Sequence, residues 1–278
     1  MQRLHSSATA LGLILAFSVT QVAAAQTAPE AQPAVPPRSG MAMPVAAGTD
    51  PIANEGVIED GAVEAIKEMS NFLMTAKTLG ITSEGSLDVV TNDGQRIQLD
   101  GVTTYKVRRP GFVIDYASDI KSRRFIYDGK NFTVYSPKLG FYATVPAPKT
   151  NREVLDTIYN KFGISLPLED LFRWGDGSNA DRIKALKSAY KVGTATIDGV
   201  QTDHLAFREA DVDWEVWIQS NGDPLPRKLV IVDRTDPARP TFTSRLKWQI
   251  NPAFSDADFA FVPDANAKKI QLATYKGE

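Results

Sequence analysis

Regular alternation of apolar and polar side chains is the feature that most constrains how this chain folds. It is clearest in Phe242–Ile250, where phenylalanine, serine, leucine, tryptophan and isoleucine alternate with threonine, arginine, lysine and glutamine. Ile97–Arg108 shows the same period of two. Successive side chains of a β-strand point to opposite faces of its sheet, so both segments are predicted to be strands with one buried and one exposed face.

Glycine-containing turns separate further short apolar runs and extend the strand pattern. The turn dipeptides are Asp93-Gly94, Asp128-Gly129, Asp198-Gly199 and Asn221-Gly222. Glycine accepts the positive φ that tight hairpins require. Strands are therefore predicted around these turns, at residues 112–116, 124–127, 132–135 and 141–145, from Lys191 onward, and lastly around Phe259 and Phe261.

Apolar residues recur at helical spacing in two regions, one before the predicted strands and one between them. Asp60 is a predicted N-cap, and the apolar stripe after it predicts a helix that ends at Leu79. Strands grouped apart from helices indicate an α+β fold. A long antiparallel sheet curls, so helices on its concave side would cover its apolar face. The other predicted helices are residues 151–162, 167–174 and 179–189.

Residues 1–25 have the features of a signal peptide. Two basic residues precede an uncharged apolar run, Ala8–Val22, and three alanines end at Ala25, the predicted cleavage site. The run has 15 residues, fewer than the roughly 20 of a membrane-spanning helix, so no transmembrane segment is expected after cleavage. Residues 26–54 are rich in alanine and proline, which predicts a disordered leader. Residues 55–278 are then expected to form one soluble periplasmic domain.

Composition excludes several classes of function. The chain has no cysteine and only two histidines, of which His5 lies in the signal peptide. Metal centres built from several histidine or cysteine ligands are thereby excluded, and no metal or cofactor is expected. Without Arg3 the mature chain carries 30 basic and 33 acidic side chains, which lacks the basic excess of nucleic-acid-binding proteins. It has no glycine-rich phosphate loop and no Gly-x-Ser-x-Gly motif, so it is not expected to be an enzyme.

The single histidine of the mature chain, His204, lies among acidic residues and leaves one catalytic hypothesis open. A hydrolase could use it as a general base. Alternation places these acids on the solvent face of strands, however, and a hydrogen-bonded structural histidine explains the pattern as well. The same alternation places Trp214 and Trp217 on opposite faces of the strand. Trp217 is an exposed recognition residue, the lip of a cavity, or a residue packed beneath a neighbouring loop with its indole N–H bonded. The acidic residues are Asp203, Glu209, Asp211, Asp213 and Glu215.

Several segments together resemble an uncharacterised bacterial family of predicted periplasmic proteins, a domain of unknown function. That family in turn resembles the outer-membrane lipoprotein carrier (LolA/LolB-like) fold. The resemblance implies a curved antiparallel sheet, or half-barrel, covered by helices on its concave side, with an apolar cavity. A cysteine often precedes the histidine in the family, whereas this chain has Thr202, so no redox or metal role is expected there. The segments are Val107–Pro110, Tyr127–Lys130, Leu166–Leu171, Val192-Gly193, His204–Phe207, Asp213–Ile218, Pro224–Ile231 and Phe259–Pro263.

The resemblance implies a non-enzymatic carrier or sensor that binds a lipid or another apolar molecule. Methionine, aliphatic and aromatic side chains on two helices are the candidate cavity residues, because such groups adapt to acyl chains. Core packing is the competing explanation for them. The alternative function is an interaction module for an envelope protein partner, with a filled core, and a hydrolase using His204 is a weaker alternative. The candidates are Met69, Phe72, Leu73, Leu155, Ile158 and Tyr159.

Overall fold

A computed structural model describes residues 56–166, 168–172, 174 and 180–274. The predicted signal peptide and leader, residues 1–54, lie outside the described residues. Among the helices that are described, none is long and apolar enough to cross a membrane. The helices are α1 Asp60–Thr75, α2 Asn151–Phe162 and α3 Ala180–Ala185, with 3-10 turns η1 Glu169–Phe172 and η2 Asp256–Phe259.

The strands of the described residues form one open sheet. Its order is β12-β6-β5-β4-β3-β2-β1-β11-β10-β9-β8-β7, and every pairing is antiparallel except that of β12 with β6. The predicted α+β class with a curved antiparallel sheet is confirmed. The strands are β1 Leu79–Val90, β2 Arg96–Val107, β3 Phe112–Ser118, β4 Ser122–Tyr127, β5 Asn131–Ser136, β6 Phe141–Pro146, β7 Ser188–Ile197, β8 Val200–Arg208, β9 Val212–Gln219, β10 Pro226–Asp233, β11 Thr241–Ile250 and β12 Lys268–Lys269.

The two long helices pack into the same apolar core as one face of the sheet. Helix α1 buries Ile66, Met69 and Leu73, which lie three or four residues apart and therefore on one side of the helix. Helix α2 buries Val154 and Ile158, four residues apart, in that core. That these helices cover the concave side of the sheet stays a prediction.

Local signals fix both ends of α2. The Thr150 side chain accepts a hydrogen bond from the Glu153 backbone N–H, and the Glu153 carboxylate accepts one from the Thr150 N–H. This capping box satisfies two N–H groups that have no partner within the helix. At the other end Gly163 adopts a φ of 64°, a left-handed conformation that glycine accepts without strain. The prediction of this helix at residues 151–162 is confirmed.

Two predicted helices are shorter than expected, and each is followed at once by a strand. Helix α1 ends at Thr75, and Leu79 already belongs to β1. Helix α3 ends at Ala185, and β7 begins at Ser188 instead of Lys191. Long-range pairing outweighs local helical spacing here, because β1 is paired on both sides and β7 pairs with β8. Of the helix predicted at residues 167–174, the described part is the 3-10 turn η1.

The C-terminal segment covers the other face of the sheet instead of adding the predicted strand around Phe259 and Phe261. Phe259 ends η2 and packs against Val113 and Ile126 in a second, smaller apolar cluster. The Arg108 guanidinium lies 4.1 Å from the centre of the Phe259 ring. Phe261 packs against Tyr135 of β5 and Tyr142 of β6. The strand prediction was wrong because the two phenylalanines alternate for packing onto the face of the sheet, and their backbone pairs with no described strand.

A close approach of strands makes Gly85 of β1 intolerant of a side chain. A methyl group there would lie 2.6 Å from the Thr243 carbonyl oxygen on β11. We expect Gly85→Ala to lower the free energy of unfolding by about 1–3 kcal/mol, because strand backbone must move to relieve the overlap. Gly193→Ala in β7 is the matched control, since no atom lies within 4 Å of its added methyl group. Urea denaturation measures the free energy of unfolding of each variant. Equal values for the two variants would contradict the close approach of β1 and β11.

Candidate functional site

An apolar cavity of about 620 Å³ lies between the first three strands and the helices. This volume falls within the roughly 300–1,000 Å³ of pockets that bind small molecules. Its walls come from the end of α1, the start of α2 and the segment that contains η1. The lining residues are Met74, Ile81, Tyr105, Val107, Arg109, Pro110, Phe112, Ile114, Lys149, Thr150, Asn151, Arg152, Leu155, Leu166, Glu169 and Phe172.

Strand register builds the floor of the cavity. Ile81 of β1 lies opposite Tyr105 of β2, and Tyr105 lies opposite Ile114 of β3. Directly paired residues point to the same face, so these three side chains form one row across the sheet. Val107 and Phe112 pair with each other in the next row towards the strand ends. Period-two alternation in β2 thus places Tyr105 and Val107 in the cavity.

Charged side chains surround the solvent-exposed opening, which we call the rim: Arg109, Lys149, Arg152 and Glu169. Arg109 donates hydrogen bonds to the carbonyl oxygens of Leu73 (3.1 Å) and Ala76 at the end of α1. Partial burial lowers the pKa of its guanidinium. Three cationic groups and one carboxylate give the rim a positive balance.

Asn151 joins the start of α2 to the loop that follows β2. Its side-chain oxygen accepts a hydrogen bond from the Gly111 N–H at 2.8 Å, and its amide group donates to the Arg108 carbonyl oxygen at 2.7 Å. Both bonds use backbone groups of the 108–111 loop that the sheet leaves unpaired. The loop and the helix therefore hold a fixed separation at the rim.

Tyr105 contributes a buried polar group to the otherwise apolar floor. Its hydroxyl oxygen is inaccessible to solvent and makes no hydrogen bond of acceptable geometry with the described residues. Burial raises the pKa of Tyr105, and the side chain of Thr103, two residues earlier on the same face of β2, opposes that shift. The hydroxyl is neutral at physiological pH, and because solvent does not reach it, the part of Tyr105 that lines the cavity is the apolar surface of its side chain.

The six candidate residues occupy three different environments. Met69, Leu73 and Ile158 are buried in the main core, and Phe72 is partly buried against it. Leu155 lines the cavity. Tyr159 is 48% exposed and lies outside the cavity lining. Ligand binding by these six residues stays a prediction, and the structure brings only Leu155 of them to the cavity.

His204 lies on the opposite side of the sheet from the main core. Its ring stacks on Trp217 with 3.9 Å between ring centres, and its Nε2 lies 2.6 Å from a Glu215 carboxylate oxygen. Lys228 lies 4.2 Å from the centre of the Trp217 ring on the next strand. Trp217 is only 7% exposed, because side chains of the neighbouring strands cover it, instead of the expected loop. This arrangement supports a structural histidine.

Glu209 and Asp213, two of the acidic residues near His204, are engaged in structural contacts. Asp213 pairs with Arg208 at 2.7 Å and with Arg239 at 2.8 Å. The buried Glu209 carboxylate accepts a hydrogen bond from the Trp214 indole N–H at 3.1 Å. Within the described ranges, no group of three or more histidine, cysteine or acidic side chains is arranged to hold a metal ion.

A protein-family model matches most of this chain, and several solved structures are similar to it. A family model described as "Predicted periplasmic protein (DUF2092)" matches residues 62–273. A comparison with curated proteins gave no match. Similar solved structures include an uncharacterized conserved protein from Thermus thermophilus, with 11% identity, 76% of this chain and 99% of that chain covered, and a TM-score of 0.44.

Two further solved structures are similar to this chain. The lipoprotein LppX from Mycobacterium tuberculosis has 12% identity and a TM-score of 0.42, with 71% of this chain and 99% of that chain covered. A LolA superfamily protein from Nitrosomonas europaea has 7% identity and a TM-score of 0.35, with 72% of this chain and 97% of that chain covered.

Arg109 is expected to stabilise the junction between α1 and the rim. Arg109→Ala removes two charge-assisted hydrogen bonds to carbonyl groups at the end of α1, and we expect it to lower the free energy of unfolding by about 1.5–3 kcal/mol. Lys184→Ala is the control, because within the described part of the chain Lys184 forms an exposed 3.5 Å pair with Asp181, and the expected effect of its removal is about 0.5 kcal/mol or less. Urea denaturation measures the free energy of unfolding of both variants. If Arg109→Ala lowers it no more than Lys184→Ala does, Arg109 does not stabilise the junction between α1 and the rim.

Proposed function

The chain belongs to the DUF2092 family of predicted periplasmic proteins, and we propose that it binds a lipid or another apolar molecule in the cavity as a carrier or sensor. The observation that carries this proposal is the cavity itself. A concave space of about 620 Å³ that opens to solvent and is lined mainly by aliphatic and aromatic side chains has the size and lining of a ligand site.

Removal of apolar surface from water supplies the binding free energy. Burial of about 300 Å² of hydrocarbon contributes roughly 7 kcal/mol at about 25 cal/mol per Å², before the costs of association are subtracted. The floor and walls offer Ile81, Ile114, Leu155, Leu166 and Phe172 to such a ligand. The same cavity counts against the alternative of an interaction module, which requires a filled core.

The environment of His204 gives the hydrolase alternative little support. A general base needs a substrate site within hydrogen-bond reach. His204 instead stacks on Trp217 and contacts Glu215, on the face of the sheet away from the cavity. We therefore propose a non-enzymatic binding protein.

Paired substitutions on α2 test where the ligand binds. Leu155→Glu introduces a carboxylate into the cavity, and we expect it to weaken binding of the fluorescent hydrocarbon diphenylhexatriene by about tenfold or more, because an unpaired charge is costly beside an apolar ligand. Tyr159→Glu, one turn further along the same side of the helix but exposed and outside the cavity lining, is the matched control and is expected to leave binding within about twofold. Fluorescence titration measures both affinities, and thermal unfolding shows whether each variant is folded.

Two outcomes would count against binding in the cavity. Failure of the folded wild-type protein to bind the hydrocarbon would overturn the proposed function. Equal weakening by Leu155→Glu and Tyr159→Glu would place the ligand elsewhere on the protein.

A further inference from the structure

We propose that Met74 is an oxidation site that regulates the cavity: conversion of its thioether to a sulfoxide weakens binding of the apolar ligand, and reduction restores it. This inference rests on the proposed function and adds a reversible modification to the same site. The reactant is a two-electron oxidant such as hydrogen peroxide. The sulfur takes one oxygen atom from the peroxide and gives up two electrons, the O–O bond breaks, and the peroxide is reduced to water.

The position of Met74 makes its side chain accessible both to an oxidant and to a ligand. Met74 is 39% exposed in the last turn of α1, and it also lines the cavity. An oxidant in solution must reach the sulfur, so exposed methionines are oxidised before buried ones. A flexible thioether is also one of the apolar groups that adapt to a hydrocarbon chain. The side chain that peroxide reaches in the empty protein is therefore one that the ligand contacts in the complex.

Met69, five residues earlier in the same helix, provides an internal comparison. It is fully buried in the main core, so peroxide in solution does not reach its sulfur while the protein is folded. Within the described part of the chain these two residues are the methionines, and Met74 is the one that lines the cavity. The chain contains no cysteine, so no thiol of the same protein competes for the oxidant.

Oxidation of Met74 changes the polarity of the cavity wall while the side chain keeps its length. The new sulfoxide oxygen is a hydrogen-bond acceptor, and water hydrates it as long as the cavity is open to solvent. A hydrocarbon ligand displaces that water and offers no donor in return, so binding carries the cost of desolvating the oxygen. The oxidised protein therefore binds an apolar ligand more weakly, although its core is unchanged.

Peroxide treatment of the folded protein, followed by trypsin digestion and tandem mass spectrometry, tests the modification site. Cleavage after Lys67 and Lys77 releases one peptide that contains both Met69 and Met74, so their oxidation is compared within a single fragment. We expect Met74 to be oxidised at least about tenfold faster than Met69. Palmitate, a saturated acid that peroxide does not attack, should slow the oxidation of Met74. Equal oxidation rates, or no protection by palmitate at a concentration that displaces diphenylhexatriene, would overturn the proposal.

Titration with diphenylhexatriene, after the peroxide has been removed, measures the effect on binding. We expect oxidation to weaken binding to the wild type about three- to tenfold and methionine sulfoxide reductase to restore it. Met74→Leu is apolar and cannot be oxidised, so peroxide should leave its affinity within about twofold of that of the untreated variant. Met69→Leu is the matched control, and it should lose affinity on oxidation as the wild type does. Thermal unfolding shows whether each oxidised protein is folded.

The same titrations distinguish failure of this inference from failure of the proposed function. If the untreated, folded wild type binds no diphenylhexatriene, both fail. If it binds the probe and oxidation of Met74 leaves the affinity unchanged, the proposed function stands and this inference fails. The inference also fails if Met74→Leu loses as much affinity on oxidation as the wild type, because the effect would then arise at another methionine. A loss that requires Met74 and that the reductase reverses supports the proposal.

Discussion

The double pairing of β1 is the constraint on which the rest of the structure depends. It pairs with β2 along its whole length and with β11 from Leu79 to Leu87. The Ser83 and Ser244 hydroxyl groups, 161 residues apart in sequence, share a buried 2.6 Å hydrogen bond across the second of these ladders. Two runs of hairpins, one from each half of the chain, thereby become one sheet. Without this register, Ile81 would not align with Tyr105 and Ile114, and the cavity would lose its floor.

The cavity depends on the positions of two helix ends, the C-terminal end of α1 and the N-terminal end of α2. Helix α1 ends at Thr75, and Arg109 binds carbonyl groups at its C-terminal end. Helix α2 begins at Asn151, whose side chain binds the loop after β2. These contacts fix the helix ends around an apolar space, so the surrounding side chains need not collapse into it. A polar rim around an apolar interior is the usual arrangement of a small-molecule site.

Sequence patterns anticipated the fold better than the candidate site. Alternation identified β2 and β11 because polar side chains regularly separate their apolar ones, whereas β1 was not predicted because Ser83 and Gly85 interrupt its apolar face. Helical stripes correctly predicted which side of α1 is buried, but Met69 and Leu73 on that side fill the core. The cavity depends on cross-strand register and on where the helices end, and neither is visible in the spacing of residues along one segment. Tyr105 was within reach of the sequence, since alternation already placed it beside Val107.

Photo-crosslinking with a fatty acid that carries a diazirine at the end of its chain tests the central claim most directly. If the cavity is the binding site, crosslinks should map to peptides of β1–β3 and of residues 149–172, and Leu155→Glu should abolish them while Tyr159→Glu leaves them unchanged. Crosslinks confined to the outer face of the sheet around Trp217 and Phe259, or none on the folded protein, would contradict the assignment of the cavity as a ligand site.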